Sequence, residues 1–219
     1  MNDLTVREFR SRQPYLETWA RMKAFIENRT ATARDEIWLL EHDPVFTQGL
    51  AGKPEHVLNP HDIPIVQTDR GGQITYHGPG QLMVYLLFDL NRLALNTRTF
   101  VHQIEQTIID YLNALHIDAL AKPEAPGVYV NQRKICSIGL RVRRGLSYHG
   151  LAFNVAMDLT PFSYINPCGF KGLSMAQLRD FVPTITLDTV KRDLMPYFVK
   201  NFRYNHLDIF SDALGTLHS

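Results

Sequence analysis

Twelve residues constrain the fold most: Arg70-Gly71-Gly72-Gln73-Ile74-Thr75-Tyr76-His77-Gly78-Pro79-Gly80-Gln81, which hold four of the chain's thirteen glycines. They run into residues 82–88, the longest apolar run, and follow the extended-looking segment 63–69. Glycine carries no Cβ and tolerates φ > 0, so a Gly-rich turn between strand-like runs lets backbone approach a ligand closely. The other side chains there, among them Arg70, Thr75, Tyr76, His77 and Gln81, are mostly polar or polar-tipped. The stretch reads as the floor of a binding site. Glycine alone suggests a phosphate cradle. A Walker or Rossmann turn must open a helix, however, and here a strand follows and no G-x-x-x-x-G-K-[ST] occurs.

A chain of 219 residues, 45% hydrophobic and 21% charged, suits one well-cored domain, expected over 1–219 with about 206–219 as a weakly patterned tail. A net charge of +1 supplies no field toward nucleic acid or membrane, and no apolar run nears the ~20 residues of a membrane span. The first residues lack an apolar signal core and carry acids, so the expected location is cytoplasmic. Cys136 and Cys168 are too few for a disulfide framework. With no CxxC and no HExxH, neither a metal nor another cofactor is expected.

Periodicity predicts helices over 14–28 (Leu16, Trp19, Met22, Lys23, Ile26 recurring), over 99–115 with Thr97 or Thr99 as cap, over 174–181 with Ser174 as cap, and over 187–202 with a break at Pro196. Strands are predicted at 35–42, 65–69, 82–90, 127–131, 134–142 and 147–157, the last three as an antiparallel meander; 44–49 reads as a loop or short edge strand. Strands grouped this way, with helices at the ends, argue α+β rather than a doubly wound sheet.

Two positions carry possible chemistry. Lys134 begins a strand whose alternate residues Cys136, Ile138, Leu140 and Val142 form its apolar face. It either snorkels to water at the strand end or is buried, where a lysine needs a partner or a lowered pKa. Cys168 lies between Pro167 and Gly169 on a tight loop. It is either a thiol tucked into the core or an exposed nucleophile, which needs a base or a nearby cation. Lys134, His77 and His149 are the candidates, and Lys134 serves as neutral base or as cation. Cys136, inside a strand, reads as structural.

The blocks RGGQITYHGPGQ (70–81), LEHDPVFTQG (40–49), APGVYV (125–130), RKICSIG (133–139), HGLAFNV (149–155) and INPCGF (165–170) together resemble the lipoyl(octanoyl) transferases. The resemblance implies a catalytic domain like that of biotin and lipoate protein ligases, a mixed sheet plus a smaller antiparallel sheet with helices outside. It implies ping-pong acyl transfer without ATP. Cys168 would take octanoyl from octanoyl-acyl carrier protein as a thioester, with Lys134 activating it. A lysine of a lipoyl domain, on 2-oxoacid dehydrogenase complexes or the glycine cleavage H protein, would receive the group. Substrate binding would fall on Arg70, Gly71, Gly72, Gln73, Ile74, Thr75, Tyr76 and His77, on Ser137, Ile138 and Gly139, and on His149, Gly150, Leu151 and Ala152. Neither nucleic acid nor membrane is expected as a partner. Arg133, Arg141, Arg143, Arg144 and Lys171 are read as one basic patch for the acidic carrier. The rivals are an ATP-dependent ligase on the same fold and a non-catalytic relative that only binds carriers.

Overall fold

The computed structural model describes residues 3–212. Its strands are β1 (Asp3–Phe9), β2 (Asp35–Leu40), β3 (Val45–Gln48), β4 (Ile65–Gln67), β5 (Ile74–His77), β6 (Gln81–Leu87), β7 (Leu120–Ala121), β8 (Gly127–Val130), β9 (Arg133–Arg143), β10 (Leu146–Asn154) and β11 (His206–Asp212). The helices are α1 (Tyr15–Glu27), α2 (Thr97–Ala114) and α3 (Leu187–Phe202). A large mixed sheet has the order β11-β1-β2-β6-β10-β9-β8-β7, and a small sheet the order β4-β3-β5. In the large sheet only β1 pairs in parallel, with β2 and β11.

The apolar run after the glycines is continuous because both faces of β6 are covered. Leu82, Val84 and Leu86 pack in the core that includes Phe100, Ile104 and Ile108 of α2 and Leu194 and Phe198 of α3. Met83, Tyr85 and Leu87 turn to the opposite core with Met22 and Ile26 of α1, Trp38, Leu40, Tyr148 and Ala152. The small sheet buries Phe46, Ile74 and Tyr76 against Met157, Phe162 and Ile165. At the β2 start, Asp35 is fully buried and saturated: it accepts from Arg29 and Arg92 (2.6 Å each), from the Asp89 N–H and from Tyr204 Oη.

The α+β class and the β8–β9–β10 meander are as expected. Its two turns, Asn131-Gln132 and Arg144-Gly145, hold positive φ at both residues, which matches two-residue hairpins. Several local expectations differ. The glycine stretch is not one turn, since β5 lies inside it, and β3 is the centre of the small sheet rather than an edge. That sheet is also not wholly antiparallel: β3–β5 is, but β3–β4 is parallel. In α1, Leu16 is 58% exposed and the buried residues are Tyr15, Thr18, Met22 and Ile26. The cap of α2 is Asn96, whose Oδ1 accepts the Thr99 N–H while Thr99 Oγ1 accepts the Asn96 N–H, a reciprocal capping box. No helix forms over 174–181. Residues 174–176 instead run along β9, and only Leu178–Asp180 makes a 3₁₀ turn, capped by Gln177. Pro196 does not split α3, which is held by Val190, Leu194, Met195, Phe198 and Phe202 on its buried side. The predicted tail begins with β11, paired along β1; its remainder, 213–219, lies outside the described residues. The strand at Asp3–Phe9 had no sequence counterpart.

Candidate active site

A cleft with about 430 Å³ of empty space, part of it open to solvent, lies on the α1 side of the large sheet. Ser137, Ile138 and Gly139 of β9 line it, with His149, Gly150, Leu151 and Ala152 of β10 and Met83 and Tyr85 of β6. Thr75 and His77 of β5 and Arg70 and Gln73 of the β4–β5 loop close it from one side, Tyr15 from α1, and Cys168 completes it.

Period-two alternation explains which residues of the glycine stretch reach it. Thr75 and His77 face the cleft, whereas Ile74 and Tyr76 point into the small sheet's own core, so neither lines the site. Gly71 and Gly72 do not line it either. The Gly71 N–H donates to Leu140 O at 2.8 Å, and a Cβ on Gly49 would lie 2.4 Å from Gly72 O. These glycines let the loop cross β9 and pass Gly49. Arg70 binds that loop from inside: its guanidinium donates to Gly71 O, Gln73 O, Thr47 O and Thr47 Oγ1. Tyr15, Met83 and Tyr85 were missed, because apolar residues on a helix and a core strand carry no chemical signal in sequence.

Lys134 is 1% exposed, so it does not snorkel. Its backbone is clamped, the N–H donating to Ser174 O and the carbonyl accepting the Ala176 N–H (2.9 Å each). Room for the side chain comes from the register shift between Val128 and Tyr129 and from Gly127, where a Cβ would lie 2.5 Å from Lys134 Cε. Lys134 Nζ then donates to Cys168 Sγ at 3.2 Å and lies 5.4 Å from the Tyr129 ring centroid. Burial pulls the lysine toward neutrality, but the Cys168 sulfur and Tyr129 outweigh it and hold its pKa above the usual lysine value. Cys168 itself sits at φ 55°, a left-handed conformation unusual outside glycine, on the loop turned by Pro167 and Gly169. Cys136 is fully buried and burial pushes its thiol pKa up, as a structural cysteine requires.

His77 is buried and fully engaged: Nδ1 pairs with Gln81 Oε1 at 2.8 Å and Nε2 with Thr47 Oγ1 at 3.0 Å. Burial, with His42 and Arg70 nearby, holds its pKa well below the ordinary value, so it is neutral. From there Gln81 Nε2 donates to Asn154 Oδ1 and Asn154 Nδ2 to Ala176 O, reaching the segment that clamps Lys134. The basic residues do not form one patch. Arg133 pairs with Asp180 at one end of the 11-residue β9, while Arg143, near Glu27, and Arg144 lie at the other, about 30 Å away at strand rise. Among the described residues no helix is long and apolar enough to cross a membrane, and no cluster of His, Cys, Asp and Glu could hold a metal ion.

Residues 14–199 match the family model for the lipoyl protein ligase A/B catalytic domain. Proteins named octanoyltransferase are 58% identical in Coxiella burnetii (98% of this chain, 96% of the relative) and 51% identical in Vibrio cholerae (97% of each). The solved lipoate protein ligase of Thermoplasma acidophilum, described with its E2 lipoyl domain, superposes with a TM-score of 0.75 at 18% identity, over 95% of this chain and 87% of that one.

Proposed function

The chain belongs to the lipoyl protein ligase A/B catalytic-domain family and carries out octanoyl transfer in protein lipoylation, and we propose that it does so through an acyl-cysteine on Cys168 with Lys134 as the cation beside the sulfur. One observation carries this reading: a buried ammonium donates to the sulfur of a half-buried cysteine at 3.2 Å, at a cleft sized for a small molecule.

In the first half-reaction the Cys168 thiolate attacks the donor thioester, a new C–S bond to Cys168 forms as the C–S bond to the donor breaks, and the donor leaves as its thiolate, which takes a proton from solvent. Exchange of one thioester for another is close to neutral in free energy, and the later step from thioester to amide is downhill, so no nucleotide is consumed. The acyl chain lies across the sheet from β9 over β10 to β6. Two inter-strand spacings give about 10 Å. Seven C–C bonds of about 1.5 Å in zig-zag give about 9 Å, which fits an eight-carbon chain ending at Met83, Tyr85 and Tyr15. Burying each CH₂ contributes about 0.8 kcal/mol. Gly139 and Gly150 keep the sheet surface low under it: a Cβ at Gly139 would meet Arg70 Cδ at 3.1 Å.

The donor in this reading is octanoyl-acyl carrier protein, and the acceptor a lysine of a lipoyl domain. Arg143 and Arg144, exposed at the β9–β10 turn, are assigned to the acidic carrier. Intact mass after incubation with octanoyl-acyl carrier protein tests the mechanism. The expected result is one added octanoyl group, removed by neutral hydroxylamine in the wild type and absent or hydroxylamine-resistant in Cys168→Ser. Turnover that requires ATP and free octanoate and survives Cys168→Ala would place the chain with the ligases instead.

A further inference from the structure

We propose that Gln73 supplies the N–H that holds the acyl carbonyl oxygen at Cys168 as negative charge develops on it; this rests on the acyl-cysteine reading above. Acyl transfer puts charge on that oxygen in both halves of the reaction, and a donor already in place there is worth a large part of the rate. The backbone just after the nucleophile does not offer one. The Gly169 N–H donates to Asn166 O at 2.9 Å and the Phe170 N–H to Pro167 O at 3.1 Å, so both are spent in turning the loop. Lys134 Nζ is committed to the sulfur.

The cleft is lined with unspent polar atoms. Tyr15 Oη, Gln73 Oε1, Thr75 Oγ1 and His149 Nδ1 are buried without a hydrogen-bond partner, four of the seven such side-chain atoms among the described residues, and all four residues line this cleft. Such an atom is costly unless a ligand satisfies it. Position separates the four. Tyr15 and His149 belong to the end that Tyr85 closes: the His42 ring lies 5.1 Å from that of Tyr15 and 5.8 Å from that of Tyr85, which lies 6.3 Å from His149. Asp69 ties His149 to that end. Burial pushes the Asp69 carboxyl up, but His149 Nε2 and Trp19 Nε1 (2.9 Å each) and Tyr148 Oη donate to it and hold its pKa down at about 2.

Gln73 lies at the other end, against the residue that follows the nucleophile. A Cβ on Gly169 would lie 2.3 Å from Gln73 Nε2, 2.5 Å from Cδ and 2.7 Å from Oε1, so the carboxamide is laid over the Gly169 Cα. Nε2 is therefore within ~4 Å of that Cα and within ~8 Å of the Cys168 Cα. The carbonyl oxygen of a thioester on Sγ reaches ~5 Å from the same Cα, which leaves the ~3 Å of one hydrogen bond. The side chain is unspent, since among the described residues Nε2 makes no hydrogen bond. A half-turn of the amide exchanges Oε1 and Nε2, so either position presents the N–H. The main chain, in contrast, is fixed: Gln73 O accepts from Arg70 Nη2 at 2.8 Å and from the Gly49 N–H at 3.4 Å. The buried Arg70 thereby ties the donor to β3, and a donor held in advance needs no reorganisation when charge appears.

The steps balance. In acylation the thiolate bonds to the carbonyl carbon, the C=O pair moves onto oxygen, and that oxygen accepts from Gln73. The pair returns as the donor's C–S bond breaks. In transfer the neutral lysine amine bonds to the same carbon and the same oxygen takes the charge. The electron pair of the breaking C–S bond returns to Cys168 Sγ, and the nitrogen loses its proton to solvent. Gln73 exchanges no proton in either half. Alkylation of Cys168 by iodoacetamide displaces iodide from a CH₂ carbon and charges no carbonyl oxygen, so it does not call on Gln73.

Gln73→Met keeps the side chain's length and removes the donor. Formation of the acyl-enzyme from octanoyl-acyl carrier protein, and its loss to a lipoyl domain, are timed separately by intact mass. Each should slow about 100-fold at saturating partner, with the KM for the carrier within about twofold of wild type. Alkylation of Cys168 at pH 7 should stay within about twofold of wild type, which a displaced sulfur or a disturbed Lys134 would not allow. Gln73→Asn, which withdraws the carboxamide by one CH₂, should show the same pattern and serves if Gln73→Met does not fold. Slowing of less than about fivefold, slowing of one half alone, or alkylation that falls in step with acylation would overturn the assignment. A wild type that forms no acyl-enzyme would overturn the Cys168 reading, and this assignment with it.

Discussion

Lys134→Met removes the ammonium and keeps a linear side chain in the space left by Gly127. At an effective dielectric of about 20, an ammonium and a thiolate 3.2 Å apart attract by about 5 kcal/mol. Water entering beside the methionine returns part of this. If half is lost, the remaining ~2.5 kcal/mol corresponds to about a 70-fold loss of the stabilisation the ammonium gives to negative charge on the sulfur. Alkylation of Cys168 by iodoacetamide, located by peptide mass and followed from pH 5 to 10, reads this directly. Cys136 does not interfere, because it is fully buried and burial holds its thiol protonated. The variant should react about 70-fold more slowly at pH 7 and lose octanoyl transfer in proportion. Its thermal midpoint should fall, because Cys168 and Tyr129 more than offset the burial of the ammonium and the variant loses both contacts. An alkylation rate at pH 7 within about threefold of wild type would refute the argument from charge proximity.

Gly127→Ala should cost more than 1 kcal/mol in stability, since φ is 138° and the new Cβ would lie 2.4 Å from Cys136 O, and it should slow acylation by displacing Lys134; chemical denaturation and acyl-enzyme kinetics read the two effects. Asp35→Ala strands Arg29 in the core and should destabilise the fold by about 3–5 kcal/mol, measured by urea unfolding. Asp69 has a folded pKa, about 2, below its ordinary value of 3.8. Its contribution to stability is therefore full above pH ~4 and lost as pH falls toward 2, and Asp69→Asn should flatten acid unfolding in that window. Charge reversal at Arg143 and Arg144 should raise the KM for octanoyl-acyl carrier protein and weaken its salt dependence while leaving acylation by a small octanoyl thioester unchanged; an unaltered KM would remove this turn from carrier docking.

What the sequence determined is what short range decides. Alternation and turn chemistry fix the β8–β9–β10 meander, because two-residue turns with positive φ at both positions join only adjacent antiparallel strands. The 3.6-residue period fixes α2, and Asn96 rather than a threonine caps its N-terminus because the reciprocal bonds with Thr99 satisfy both the Asn96 and the Thr99 N–H. The glycines of 70–81 mark close approach, and the spelled blocks carry the family. Tertiary structure decided where the chemistry meets. Lys134 and Cys168 are 34 positions apart, and nothing local distinguishes a lysine that snorkels from one buried under a register shift beside Gly127. The N-terminal strand and β11 exist because each pairs with the other across the chain's length, and no local pattern encodes that. The acyl slot likewise borrows Tyr15, Met83 and Tyr85, which acquire a role only when α1 and β6 close over the same cleft. The glycine stretch announced a site in one dimension. Strand pairing over long loops chose which of its residues face inward, since a one-residue change of register reverses every side chain.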